Sequence, residues 1–179
     1  RVLANAPTQL KNRGLEAIAA ALIERADQIL AANAEDLARG RAEQMSDGLL
    51  DRLALNTDRL RSIAEAVREI VALPDPIGQV VRGGRTEIGL RVTQERVPLG
   101  VVGIIYEARP NVTVDAAALA LKAGNAVILR GGSAAQASNR VLIDVCRDAL
   151  SSVGLPPDAI STVDPWGRGG ARAMMRARG

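Results

Sequence analysis

An α/β fold is predicted for this chain: a short parallel sheet over residues 98–179, preceded by helices over 1–78 and by a protruding β-hairpin over 79–97. Three observations predict it. Apolar residues fall at helical spacing as far as Val71, the period changes at Gln79, and short apolar runs alternate with longer amphipathic ones from Val101 onward.

In chain order, Leu15, Ile18, Leu22, Ala26 and Ile29 recur at steps of three and four, placing them on one face of a helix opposite Glu16, Arg25 and Asp27. A second helix follows Thr57, read as its N-cap, with Leu60, Ile63, Ala64, Val67, Ile70 and Val71 inward. Leu73, Pro74, Asp75 and Pro76 stop it, because proline lacks the amide and restricts the residue before it. Residues 79–82 and 87–97 read as strands around a Gly83-Gly84 turn, a surface hairpin. Residues 101–106 are almost wholly apolar, as expected of a strand buried on both faces of a parallel sheet. A helix opened by Thr113 or a neighbour ends at Gly124, a left-handed cap. Strand 126–129, helix 138–153 and strand 159–163 complete the reading of a doubly wound domain.

Composition narrows the chemistry. The 179 residues, 47% of them hydrophobic, can bury a core, so disorder is not expected. Its 23 basic and 20 acidic residues are spread along the chain, so the net charge of +3 forms no concentrated patch and nucleic acid is not an expected partner. The lack of His removes the commonest metal ligand and general base, and a single Cys146 excludes an internal disulfide or a multi-cysteine metal site. No apolar run approaches the roughly 20 residues that span a bilayer, so a membrane is not expected and the chain suits a reducing cytoplasm. Arg1 opens the chain without Met inside a helical segment, and Gly179 follows the helix-like 171–178 directly; both ends read as cuts in a longer protein.

Ligands of such folds bind where strands end and helices begin, since unpaired helix amides point there. Two of these connections are chemically unusual. In Tyr106, Glu107, Ala108, Arg109, Pro110 and Asn111, charged and amide side chains crowd a turn that also reads as a plain helix cap through Asn111 or Thr113. In Arg130, Gly131, Gly132 and Ser133, paired glycines permit close backbone approach, Arg offers a forked cation and Ser a hydroxyl, although an ordinary strand-to-helix turn reads equally well. No G-x-G-x-x-G follows a strand, since Arg172 stands where the last Gly after Gly167 and Gly169 belongs, and no P-loop occurs.

The stretch from Val97 through Tyr106-Glu-Ala-Arg-Pro-Asn111 to Asp115, running on through Leu121-Lys-Ala-Gly-Asn-Ala-Val-Ile-Leu-Arg-Gly-Gly132, resembles the signature region of the gamma-glutamyl phosphate reductases. Leu50-Asp-Arg-Leu53 is similar to the same family, so the resemblance covers nearly the whole chain. These enzymes belong to the aldehyde dehydrogenase superfamily, whose Rossmann-like domain lacks the standard glycine fingerprint. The resemblance implies NADPH-dependent reduction of L-glutamate 5-phosphate to glutamate 5-semialdehyde and phosphate in proline biosynthesis, through a cysteine thioester.

It further implies that Asn111 is the asparagine whose amide stabilises the oxyanion, the one catalytic candidate here. Glu107, Ala108 and Arg109 are implied near the nicotinamide half, and Arg130, Gly131, Gly132 and Ser133 near the adenosine ribose. Ser133 stands where many NAD-using relatives carry Glu, which favours NADP. Cys146 falls on the inward spacing of Leu142, Val145, Ala149 and Leu150 and is read as core. The catalytic cysteine is implied to lie in a later domain, so the chain alone should not turn over. Trp166 is read as covering the sheet edge, and Arg168, Arg172, Arg176 and Arg178 as a solvated helix face. The hairpin corresponds to an oligomerisation element, implying a homo-oligomer, and association or fusion with glutamate 5-kinase is a further implication. A non-catalytic nucleotide- or anion-binding module is the rival reading. An RNA scaffold is disfavoured by one Trp, one Tyr and no Phe.

Overall fold

The computed structural model describes residues 2–107 and 109–177. Ala108 of the first unusual connection and Arg178 of the basic tail lie outside them.

Four helices lead: α1 (Thr8–Glu24), α2 (Ala26–Ala42), α3 (Asp47–Leu53) and α4 (Thr57–Ala72). The single helix expected across 15–29 is two, divided at Arg25 (φ −104°, ψ 22°), whose guanidinium reaches Asp148 at 2.7 Å. Nothing in the local sequence, neither Gly nor Pro, marks that break. Asn56, not Thr57, caps α4: its Oδ1 accepts the Arg59 amide at 2.7 Å, while Thr57 is already helical. The Pro74–Pro76 stop is tied down by Asp75, which accepts from Lys11 (2.7 Å) and Thr8 (2.6 Å). Burial alone would raise the Asp75 carboxyl, but the bonds from Lys11, Thr8 and the Ile77 amide outweigh it and hold the group below its usual range.

The hairpin pairs β1 (Val80–Arg85) with β2 (Arg91–Glu95). Its turn is not at Gly83-Gly84. Those glycines pair inside the ribbon with Thr93 and Val92, and the chain reverses over residues 86–90, where the Leu90 amide bonds Thr86 Oγ1 (3.1 Å) and Gly89 takes φ +90°. Only Gly89 takes the positive φ that the turn needs, so a glycine pair was the wrong signal. Every residue of the ribbon is exposed.

Three parallel strands follow in the order β3-β4-β5: β3 (Val101–Ile105), β4 (Ala126–Arg130) and β5 (Ile160–Thr162). Helices α5 (Pro110–Lys122) and α6 (Gln136–Ser152) connect them, and α7 (Gly167–Arg176) comes last. Gly124 takes φ +71° past the end of α5, as expected, and the Asn125 amide reaches back to Ala120 O at 2.9 Å. One apolar core joins Leu15, Ile18 and Leu22 of α1 to Leu60 of α4, Leu121 of α5, Leu142 of α6 and Leu129 of β4.

Strand β3 is not buried on both faces: Val101 is 62% and Ile105 48% exposed. In the order β3-β4-β5, parallel crossovers of the usual right-handed sense put α5 and α6 on the same face, which Val127 and Leu129 share. Across the described residues the winding is therefore one-sided. Helix α7 reaches the other face, its Met174 Cε 3.0 Å from where a Cβ on Gly103 would stand.

Candidate functional site

The two connections singled out by sequence lie at the carboxyl ends of β3 and β4. After β3, Arg109 caps α5 and Pro110 occupies the first turn, so neither Asn111 nor Thr113 is the cap. Thr113 is buried and donates to Asn139 Oδ1 of α6 at 2.9 Å. With its one proton so used, it accepts from Tyr106 Oη at 2.7 Å. Burial pushes the Tyr106 phenol up to about 12, which keeps it a neutral donor. Asn111 is half-buried, and its Nδ2 donates to Asp115 Oδ2 one turn on at 3.3 Å. Burial raises the Asp115 carboxyl above its ordinary range, with the Asn111 bond opposing.

After β4, Gly131 is buried and its amide donates to Asp164 Oδ1 at 2.8 Å. A Cβ on Gly131 would stand 2.1 Å from Asn139 Nδ2, so the missing side chain makes room for that asparagine. Arg130 folds back onto the Gly131 carbonyl, and its Nε is buried with no partner among the described residues. Asp164, nearby, is raised by burial, against the opposing Gly131 amide, Arg130 and Asn139. Ser133 is exposed.

The amides that open α6 are already taken. Asp36 of α2, wholly buried, accepts from the Ala137 amide (3.0 Å), the Ser138 amide (2.8 Å) and the Ser138 hydroxyl (2.7 Å), and pairs with Arg39. Arg39 in turn bonds the Ala134 carbonyl at 3.1 Å, and Asn33 bonds Ser138 Oγ at 3.0 Å. An internal carboxylate thus fills the anion-binding end of α6, a physical reason for the absence of a glycine fingerprint there.

Two neighbouring cavities use what remains. One, of about 270 Å³, has Glu107 and Arg109 from the first loop facing Gly132 and Ser133 from the second, with Arg52 on its wall. The other, of about 410 Å³, is lined by Asn111, Arg109, Arg52, Arg59 and the start of α4. The structure therefore brings Glu107, Arg109, Gly132 and Ser133 together, sets Asn111 next door and turns Arg130 inward. A third cleft, of about 380 Å³, lies between Arg39, Arg140 and Asp164. Sequence reasoning missed Asp36, Arg52, Arg59, Asn139 and Asp164. Of these only Arg52 had a signal, in Leu50-Asp-Arg-Leu53, which was given no role.

Cys146 is fully buried in α6, and burial pushes its thiol up to about 12, which rules out a thiolate nucleophile near neutral pH. Trp166 is 67% exposed, so it covers little of the sheet edge, contrary to expectation. Arg168, Arg172 and Arg176 are solvated. Among the described residues no His, Cys, Asp or Glu cluster could hold a metal, and no helix is long and apolar enough to cross a membrane.

Comparison with known proteins adds the following. Residues 5–179 match the model of the aldehyde dehydrogenase family. The chain is 57% identical over 179 residues to the gamma-glutamyl phosphate reductase of Kineococcus radiotolerans, covering all of this chain and 41% of that protein. It is 58% identical over 177 residues to that of Leifsonia xyli subsp. xyli, covering 99% of this chain and 42% of that protein. The chain thus spans well under half the length of these curated relatives. Its structure is similar to the crystal structure of the Thermotoga maritima gamma-glutamyl phosphate reductase, with TM-score 0.95 and 41% identity over 99% of this chain and 43% of that one. A probable aldehyde dehydrogenase of Listeria monocytogenes shares the fold, with TM-score 0.74 and 18% identity over 98% of this chain and 36% of that one.

Proposed function

The chain belongs to the aldehyde dehydrogenase family, and from that premise we propose that it is the nucleotide-binding part of a gamma-glutamyl phosphate reductase. The overall reaction is the reduction of L-glutamate 5-phosphate by NADPH to glutamate 5-semialdehyde and phosphate, a cytoplasmic step of proline biosynthesis. The observation that carries this reading is the cleft where Glu107 and Arg109 face Gly132 and Ser133, which shares Arg52 and Arg109 with the cavity that holds Asn111.

NADPH supplies the hydride when bound. The chain's own residues bind and orient. Gly132 and Ser133 line the adenosine side, with Gly131 shaping the turn beneath them. Arg130 is the cation proposed for the 2′-phosphate; it lies folded back onto the Gly131 carbonyl with its Nε buried and unpartnered among the described residues, so it must swing outward to reach that group. Ser133 leaves room where Glu would repel that phosphate. Glu107 and Arg109 border the nicotinamide half, the part also proposed for Ala108, which lies outside the described residues. Asn111, oriented by Asp115, donates its remaining amide hydrogen to the carbonyl oxygen as negative charge develops there. With its one cysteine buried, the chain itself binds without turning over.

The domain division follows the same reading: helices over 1–78, an oligomerisation hairpin over 79–97 and the nucleotide-binding segment over 98–179. The exposed Val80, Val81, Ile88, Leu90 and Val92 of the ribbon support a homo-oligomer, because an open two-stranded edge is marginal by itself. Association with the kinase that makes the acyl phosphate is part of the proposal.

Fluorescence titration of the chain with NADPH, NADH and a short RNA tests it. Saturable NADPH binding tighter than NADH, with no RNA binding, is expected. Ser133→Glu is expected to reverse the preference. RNA binding alone would overturn the reductase reading, and tighter NADH binding the choice of NADP.

A further inference from the structure

Two arginines stand in the walls of both cavities. Arg52 and Arg109 line the cleft between the two strand-end loops and also the cavity that holds Asn111. Both are exposed, and neither makes a salt bridge among the described residues. The backbone that carries each of them is fixed. Arg59 bonds the Asp51 carboxylate (2.7 Å), the Asp51 carbonyl (2.5 Å) and the Ala54 carbonyl (2.7 Å), which clamps the end of α3 to α4 and fixes Arg52 next to Asp51. Arg109 is held as the cap of α5 by its own backbone, its amide bonding Glu107 O at 2.8 Å and its carbonyl accepting from Val112 at 3.1 Å.

The charge of the larger cavity follows from these contacts. Three arginines meet one aspartate there, and that aspartate is spent on Arg59, so Arg52 and Arg109 leave an excess of positive charge beside Asn111. Forked guanidinium groups suit the tetrahedral oxygens of a phosphoryl group, and such charge-assisted pairs are stronger than neutral hydrogen bonds.

We propose that Arg52 and Arg109 form the site for the phosphoryl group of the acyl-phosphate substrate, on the Asn111 side of the cleft. This rests on the reductase reading and adds that part of the substrate pocket belongs to this chain, through a family-like segment at Leu50–Leu53 that the nucleotide does not explain. The two arginines make or break no bond. They hold the phosphoryl oxygens so that the adjoining carbonyl lies toward Asn111. As the residues that, among those described, line both cavities, they stand where substrate and cofactor must meet.

The test titrates the 15N-labelled chain with inorganic phosphate, following the arginine Nε–H resonances, and repeats the titration with NADPH as an independent probe. Phosphate is expected to shift Arg52 and Arg109 together and saturably. Arg52→Gln and Arg109→Gln should each weaken phosphate binding by about tenfold, the loss of one charge-assisted pair. Arg61→Gln, on the outer face of α4 paired to Asp58, should not change it. Because both arginines are exposed, a circular-dichroism melt of each variant establishes that it is folded. Shifts spread evenly over the arginines, or unchanged phosphate binding in the two folded variants, would overturn the proposal. NADPH binding without phosphate binding would overturn this site and leave the reductase reading standing. Phosphate binding at Arg52 and Arg109 without NADPH binding would support the site and count against the cofactor.

Discussion

Asp36→Ala lowers the unfolding free energy by about 3–5 kcal/mol, the scale expected when one partner of a buried, hydrogen-bonded charge is removed. The reason lies in what is left behind. The Ala137 and Ser138 amides and the Ser138 hydroxyl lose their acceptor inside a region with no solvent, and each orphaned donor costs about 1–3 kcal/mol. Arg39 loses its partner too, so the turn at Ser133 and Ala134 loosens with it. In a chain of this length the change lowers the melting temperature by roughly 10 °C. Urea unfolding of the wild-type and variant chains measures it. A loss below about 1 kcal/mol would mean that water replaces the carboxylate freely.

Gly131→Ala is the second large effect, about 1–3 kcal/mol by overpacking. The new methyl would meet Asn139 Nδ2 at 2.1 Å and Tyr106 Oη at 3.2 Å. Asn139 is the far end of a side chain, yet it cannot swing aside cheaply, because it is fully buried and its Oδ1 holds Thr113, which in turn holds Tyr106. The substitution therefore reaches both strand-end loops at once. It is expected to lower the melting temperature and weaken NADPH binding together. Gly169→Ala, with no atom within 4 Å of the new Cβ, serves as the control and should be close to neutral. A Gly131→Ala chain as stable as wild type would show that the Tyr106-Thr113-Asn139 chain of bonds does not fix these loops.

The sequence carried the element types because burial periodicity and helix-stop chemistry are local. Leu60, Ile63, Ala64 and Val67 did fall inward on α4, and Gly124 did take the left-handed cap. What could not be read was set by partners far along the chain. The break at Arg25 coincides with a bond to Asp148, 123 residues away. The hidden role of Asp36 depends on amides about a hundred residues on, and nothing about an aspartate inside α2 announces that it serves another helix. Strand β3 misled for the opposite reason. An apolar run reports what a strand is built to bury, and over the described residues the crossovers cover only one of its faces. At the site, the two loops were legible from glycines and charges crowding short turns. Their meeting in one cleft, and the intrusion of Arg52 from α3, required the fold.

The central claim is that these two loops together form a nucleotide site, and backbone-amide mapping by 15N NMR tests it most directly. On addition of NADPH, the amides of residues 107–111, except Pro110, and 130–133 should shift with one common saturation curve, while those of the hairpin at 80–95 stay still. Saturable shifts confined to other surfaces, with these two loops unmoved, would contradict it.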